Sequence, residues 1–127
     1  MTATVVDECL AKPGHTDTLR IQQALSNGLL KTAPDPRVRQ ALQVLDAGEQ
    51  TAIELALSHK LVLLIDEKRG RAVAKSQGAN IIGTIGILLL AKKAGLIPEI
   101  KPLLTVLEHQ YYFSKALIQH ALDIANE

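Results

Sequence analysis

At 127 residues the chain is long enough for one hydrophobic core and too short for two. Apolar residues make up 47% and charged residues 21%, the usual mix for a globular domain rather than a disordered or fibrous chain. Fourteen basic and thirteen acidic side chains leave a net charge of +1, which is not the strongly basic footprint of a typical nucleic-acid binder, although local basic patches remain open.

Thr2 to Val6 is short and β-branched and predicts a strand stub. Asp7 to Ala11 predicts a helix stopped by Lys12-Pro13-Gly14. Asp17 to Ser26 predicts a second helix, with Leu19, Ile21, Ala24 and Leu25 toward the core and Asn27-Gly28 ending it. Leu29 to Ala33 is a candidate strand, closed by Pro34-Asp35-Pro36. Val38, Ala41, Leu42 and Leu45 recur at helical spacing and predict a helix from Pro36 to Leu45. Asp46-Ala47-Gly48-Glu49 opens another, running to about His59.

Leu61 to Ile65 is consecutively apolar, the pattern of a strand covered on both faces. Glu67 to Gln77 predicts a helix ended by Gly78, and Asn80 to Gly83 the next strand. Ile85 to Ala94 predicts an apolar helix with Lys92 and Lys93 near its end. Ile97-Pro98 starts a further helix to about His109, and Ser114 caps a last one to Asn126. Strands alternating with helices predict a helix-rich α/β domain with a small parallel sheet, occupying 1–127 as a single domain without repeats or linkers.

The chemistry concentrates between Glu49 and Arg71. A strand ending at Asp66 in a parallel sheet places that carboxylate where open α/β sheets collect ligands. Glu49 begins a helix, Asp66 ends the following strand, and this topology can bring both to one sheet edge. Converging carboxylates make a hard-oxygen site for Mg²⁺ or Mn²⁺, and Glu67 can add a third oxygen. A metal so held lowers the pKa of a bound water and neutralises phosphodiester charge. Lys68, Arg69 and Arg71 can hold a phosphate backbone. Each residue also has a purely structural use. Asp66 fits the N-cap of helix 67–77, Asp46 and Glu49 fit a capping box, Glu67 suits a first helical turn, and the cations suit a solvated face. Spacing alone leaves both uses open.

Other chemistries have less support. His15, His59, His109 and His120 have no metal-ligand spacing, and Cys9 stands alone, as suits a reducing cytoplasm. Gly83-Thr84-Ile85-Gly86 is no phosphate loop; it reads as a tight strand-to-helix turn, with Thr84 near enough in topology to join a site at Asp66. A small ligand-binding regulatory domain rests on that turn alone. Tyr111, Tyr112 and Phe113 read as a clasp between helices rather than a base-stacking surface. No signal peptide is visible, and the longest apolar run, Ile81 to Ala91, is short of the ~20 residues that span a bilayer.

Gly48-Glu49-Gln50-Thr51-Ala52-Ile53, then Leu63-Leu64-Ile65-Asp66-Glu67-Lys68-Arg69-Gly70-Arg71, then Ile82-Gly83-Thr84-Ile85-Gly86-Ile87-Leu88-Leu89, Gly95-Leu96-Ile97-Pro98 and Lys101-Pro102-Leu103-Leu104 occur in that order. In these segments the chain resembles the PIN-domain superfamily, and within it an uncharacterised group of predicted nucleic-acid-binding proteins related to the toxin ribonucleases of toxin–antitoxin pairs. The resemblance implies a three-layer α/β/α domain and a Mg²⁺- or Mn²⁺-dependent endoribonuclease. Glu49 and Asp66 match the family's catalytic acids and Glu67 the adjacent acidic position. RNA and an antitoxin protein are the implied partners. The family begins with a strand ending in aspartate that has no counterpart here; Asp7, at the start of a helix, is no substitute. The resemblance therefore implies an N-terminally truncated domain lacking a central strand and the first metal ligand. Its exposed neighbours favour a homo-oligomer. The alternative function is a catalytically degenerate binding or interaction module of the same fold.

Overall fold

The computed structural model describes residues 1–108 and 113–127. Their elements in chain order are α1 (Ala3–Leu10), α2 (Thr16–Ser26), a 3-10 turn (Gln40–Leu42), α3 (Ala47–His59), β1 (Val62–Leu64), α4 (Lys68–Ser76), β2 (Asn80–Ile82), α5 (Thr84–Lys93), α6 (Lys101–Glu108) and α7 (Lys115–Ala125). The predicted helix-rich α/β architecture is present, with β1 and β2 paired in a two-stranded parallel sheet. The chain forms two compact units, Met1–Ile81 and Ile82–Glu127.

In the first unit α1 packs on α3, and the core gathers Leu42, Leu45, Ile53, Ala56, Leu63 and Ala74. Asp46 caps α3 as its sequence predicts, Oδ1 accepting from the Glu49 amide at 2.8 Å. At the other end Lys60 takes a left-handed φ of 54°, and the Leu61 amide then reaches back to the Ala56 carbonyl at 2.9 Å, turning the chain into β1. After α4, Gly78 at φ +83° does the same for Ala79, whose amide donates to the Ala74 carbonyl at 3.0 Å.

Five expectations in this unit are corrected. Thr2 to Val6 is not a strand stub. Thr2 caps α1, its Oγ1 accepting from Val5, while the Asp35 carboxylate accepts from the Thr4 amide (3.0 Å) and hydroxyl (2.7 Å), so the β-branched run winds into a helix. The Leu29–Ala33 strand reduces to one parallel bridge between Thr2 and Ala33. The helix expected from Pro36 to Leu45 is one 3-10 turn, because Glu54 holds Arg39 in an extended conformation (φ −70°, ψ 151°) through its backbone amide. Leu61 to Ile65 is not covered on both faces: Leu63 is buried, but Val62 and Leu64 are 65% and 54% exposed. Leu19, expected in the core, is also exposed.

In the second unit Ile85, Ile100, Leu104, Ala121 and Ala125 form the core, with Phe113 packed against it. Tyr111, Tyr112 and His109 lie outside the described residues. Ser114 caps α7 as predicted, Oγ accepting from Leu117 at 3.2 Å. The helix expected from Ile97 begins only at Lys101, where the Glu127 carboxylate accepts from the amides of Ile100 (2.8 Å) and Lys101 (3.0 Å) and from Lys92 Nζ (2.9 Å). Burial pushes the Glu127 carboxyl upward, but these donors together hold it down at about 2.

Candidate active site

Glu49 is the third residue of α3, set there by the Asp46 cap. Its side chain leans on the start of α4. A Cβ built on Gly70 would overlap Glu49 Oε1 and lie 3.1 Å from Glu49 Cδ and 2.7 Å from Ile65 Cδ1. Glycine at position 70 is thus what gives this carboxylate its room.

Among the described residues Glu49 Oε1 is the buried side-chain polar atom without a hydrogen-bond partner. Burial raises the Glu49 carboxyl above its ordinary value, and the negative charges of Asp46 and Glu67 push the same way. The Asp46 amide and the Arg69 guanidinium offset part of this. A buried oxygen that accepts no hydrogen bond and faces like charge is costly to keep.

Glu67 caps α4, its Oε2 accepting from the Gly70 amide at 2.6 Å. The amides of Arg69 and Gly70 hold its carboxyl below the ordinary value. This corrects the expectation that Asp66 is the N-cap. Both residues are acidic and adjacent, so the sequence pattern serves either, and the backbone chooses the second. Asp66 is exposed and lies between β1 and that cap. The Ile65 carbonyl just before it accepts from Arg71 Nη1 at 2.7 Å, so Arg71 ties down the strand end that carries Asp66. Lys68 and Arg69 are exposed on the first turn of α4. Thr84 opens α5 in the second unit.

Two further acids of the first unit make contacts that the sequence reading did not foresee. Glu8 of α1 reaches the start of α3, its Oε1 accepting from the Gly48 amide at 3.1 Å; a Cβ on Gly48 would overlap Glu8 Oε2. Glu54 sits in the middle of α3 and receives both Arg39 Nε and Nη2 at 2.7 Å, a bidentate pair that brings its carboxyl down to about 2. The one hint of Glu54 is a charge within the apolar run Ile53 to Leu57.

Among the described residues no group of three or more His, Cys, Asp or Glu side chains is gathered as a metal would need. Magnesium requires less: it keeps several waters and is held through one or two carboxylates. An orphaned carboxylate oxygen crowded by like charge fits such a cation chemically. Among the described residues no helix is long and apolar enough to cross a membrane.

A family model described as a PIN domain matches residues 1–127. No curated protein and no solved structure matches the chain.

Proposed function

The chain belongs to the PIN-domain family, and on that premise we propose that it is a divalent-metal-dependent endoribonuclease. The observation that carries this reading is the unpartnered Glu49 Oε1 beside Glu67, at the helix start that follows Asp66. Glu49 and Asp66 would hold Mg²⁺ or Mn²⁺, and Glu67, which caps α4, would add negative charge beside them. When bound, the metal supplies an acidified water and neutralises developing phosphate charge. Lys68 and Arg69 bind the substrate phosphates, and Arg71 positions Asp66 through the Ile65 carbonyl. Thr84 is a candidate further contact to RNA. We place the protein in the cytoplasm, in keeping with its lone Cys9, with an antitoxin or a second copy of the chain as candidate protein partners.

Cleavage of a labelled single-stranded RNA with and without Mn²⁺ tests the proposal. Asp66→Asn and Glu49→Gln are each expected to lose at least about 100-fold in rate, as removal of a preorganised electrostatic group does. Metal-dependent cleavage unchanged in Asp66→Asn would discard the site. RNA binding by the wild type with no cleavage would establish the interaction module instead.

A further inference from the structure

Helix α4, KRGRAVAKS, carries four cations and no acid. Its orientation is fixed by packing: Gly70 and Ala74 are buried, and Val73 rests against the core of the first unit. Residues 68, 69, 72, 75 and 76 are therefore the exposed ones. They follow the i, i+1, i+4, i+7, i+8 pattern of one helical stripe. Lys68 and Arg69 stand at one end, Lys75 at the other, and between them lie only the small side chains of Ala72 and, beside Lys75, Ser76. Seven residues of helix separate Lys68 from Lys75 by about 10 Å.

Of the four cations, Lys75 in the last turn suits the helix dipole, while Lys68, Arg69 and Arg71 near the first turn oppose it. Arg71 and Lys75 are like charges at i, i+4, which destabilises an isolated helix. The Arg39–Glu54 and Lys92–Glu127 ion pairs lie elsewhere in the chain, and of the α4 cations Arg69 acts on the Glu49 and Glu67 carboxylates. Arg71 is half-buried on the Ile65 carbonyl, which leaves Lys68, Arg69 and Lys75 as the outward charges.

We propose that this stripe is a phosphate-backbone track for single-stranded RNA, in which Lys75 makes a distal contact two helical turns from the candidate active site. The identity of the ligand as RNA rests on the function proposed above; the track itself rests on α4. The stripe holds no aromatic or amide side chain to stack on or read a base, so contact is to phosphates and tolerant of sequence. Its length suits one strand, since readers of double-stranded RNA span two minor grooves over about 16 base pairs. The substrate must then extend past the cleavage point along α4, and very short oligonucleotides bind poorly.

Fluorescence anisotropy with labelled RNAs of about 12 nucleotides tests this, using one oligouridine and one mixed sequence. Measurements in EDTA read binding without metal or cleavage. Over roughly 50 to 200 mM salt the wild type is expected to weaken linearly on a log–log plot, and Lys75→Gln to lower the slope by about 0.7 while weakening both RNAs alike. Lys75→Arg is expected to restore both quantities. An unchanged slope and affinity in Lys75→Gln, or a loss confined to one sequence, would overturn the track, as would absence of RNA binding by the wild type at low salt. The two readings fail separately. Loss of slope in Lys75→Gln by a protein that never cleaves RNA sinks the nuclease and keeps the track. Asp66-dependent cleavage with Lys75→Gln binding unaltered does the reverse.

Discussion

Gly70→Ala separates the stability of this protein from the geometry of its candidate site. The new methyl would overlap Glu49 Oε1 and stand 2.7 Å from Ile65 Cδ1, so both side-chain tips must move. Both are ends of flexible side chains, and the backbone of α4 has no need to shift. Alanine gains up to about 1 kcal/mol of helix propensity over glycine, while crowding a packed position costs about 1–3 kcal/mol. These terms nearly offset, leaving a net destabilisation of roughly 0–2 kcal/mol. The carboxylate of Glu49 nonetheless moves by something near the size of the overlap, on the order of 1 Å, and misplacement on that scale costs about 100-fold in rate. The assay is paired: denaturant unfolding, and cleavage of single-stranded RNA with Mn²⁺. A variant that folds well and cuts RNA as fast as the wild type would refute the claim that Gly70 sets the position of Glu49.

The remaining predictions concern titration. Glu54 is held at about 2 in the folded state against an ordinary 4.5, first of all by the Arg39 guanidinium, so its stabilisation is full above pH 4.5 and is lost as pH falls toward 2. The Arg39 side chain is 42% exposed and screened by solvent, so between about pH 5 and pH 3 the wild type should lose only about 1–2 kcal/mol more than Glu54→Gln in urea unfolding; parallel curves would refute the pairing. Glu49 has the opposite sign. Burial, then Asp46 and Glu67, raise its carboxyl, so the charged form weakens the fold above that raised value and the penalty disappears as pH falls through it. Glu49→Gln should therefore melt above the wild type at neutral pH and level with it in acid, even though cleavage is abolished; equal melting at both pH values would remove the strain from Glu49.

What was legible in the sequence was local. The Asp46 cap, the Ser114 cap and the turn at Gly78 each involve residues within a few positions of one another, and α3, α4 and α7 start and stop within a residue or so of where those signals put them. The helix expected across Pro36 to Leu45 failed because its fate was decided by Glu54, fifteen residues from Arg39. The helix in place of the Thr2 to Val6 strand owes its start to Asp35, thirty-one residues from Thr4. The candidate site divides the same way. Glu49 could be placed by its capping pattern, whereas the Glu8 contact with Gly48 crosses forty residues and leaves no trace in the neighbourhood of either. Choosing Glu67 over Asp66 as cap needed the backbone itself.

The Glu127 carboxylate joins events that the sequence keeps far apart. Its acceptors serve amides 27 and 26 residues upstream, together with the Lys92 ammonium. Fraying of the chain beyond α7 and release of the first amides of α6 are consequently one opening, not two. Hydrogen exchange at Ile100 and Lys101 would keep time with the loosening of residue 127, so that the end of α7 and the start of α6 open together.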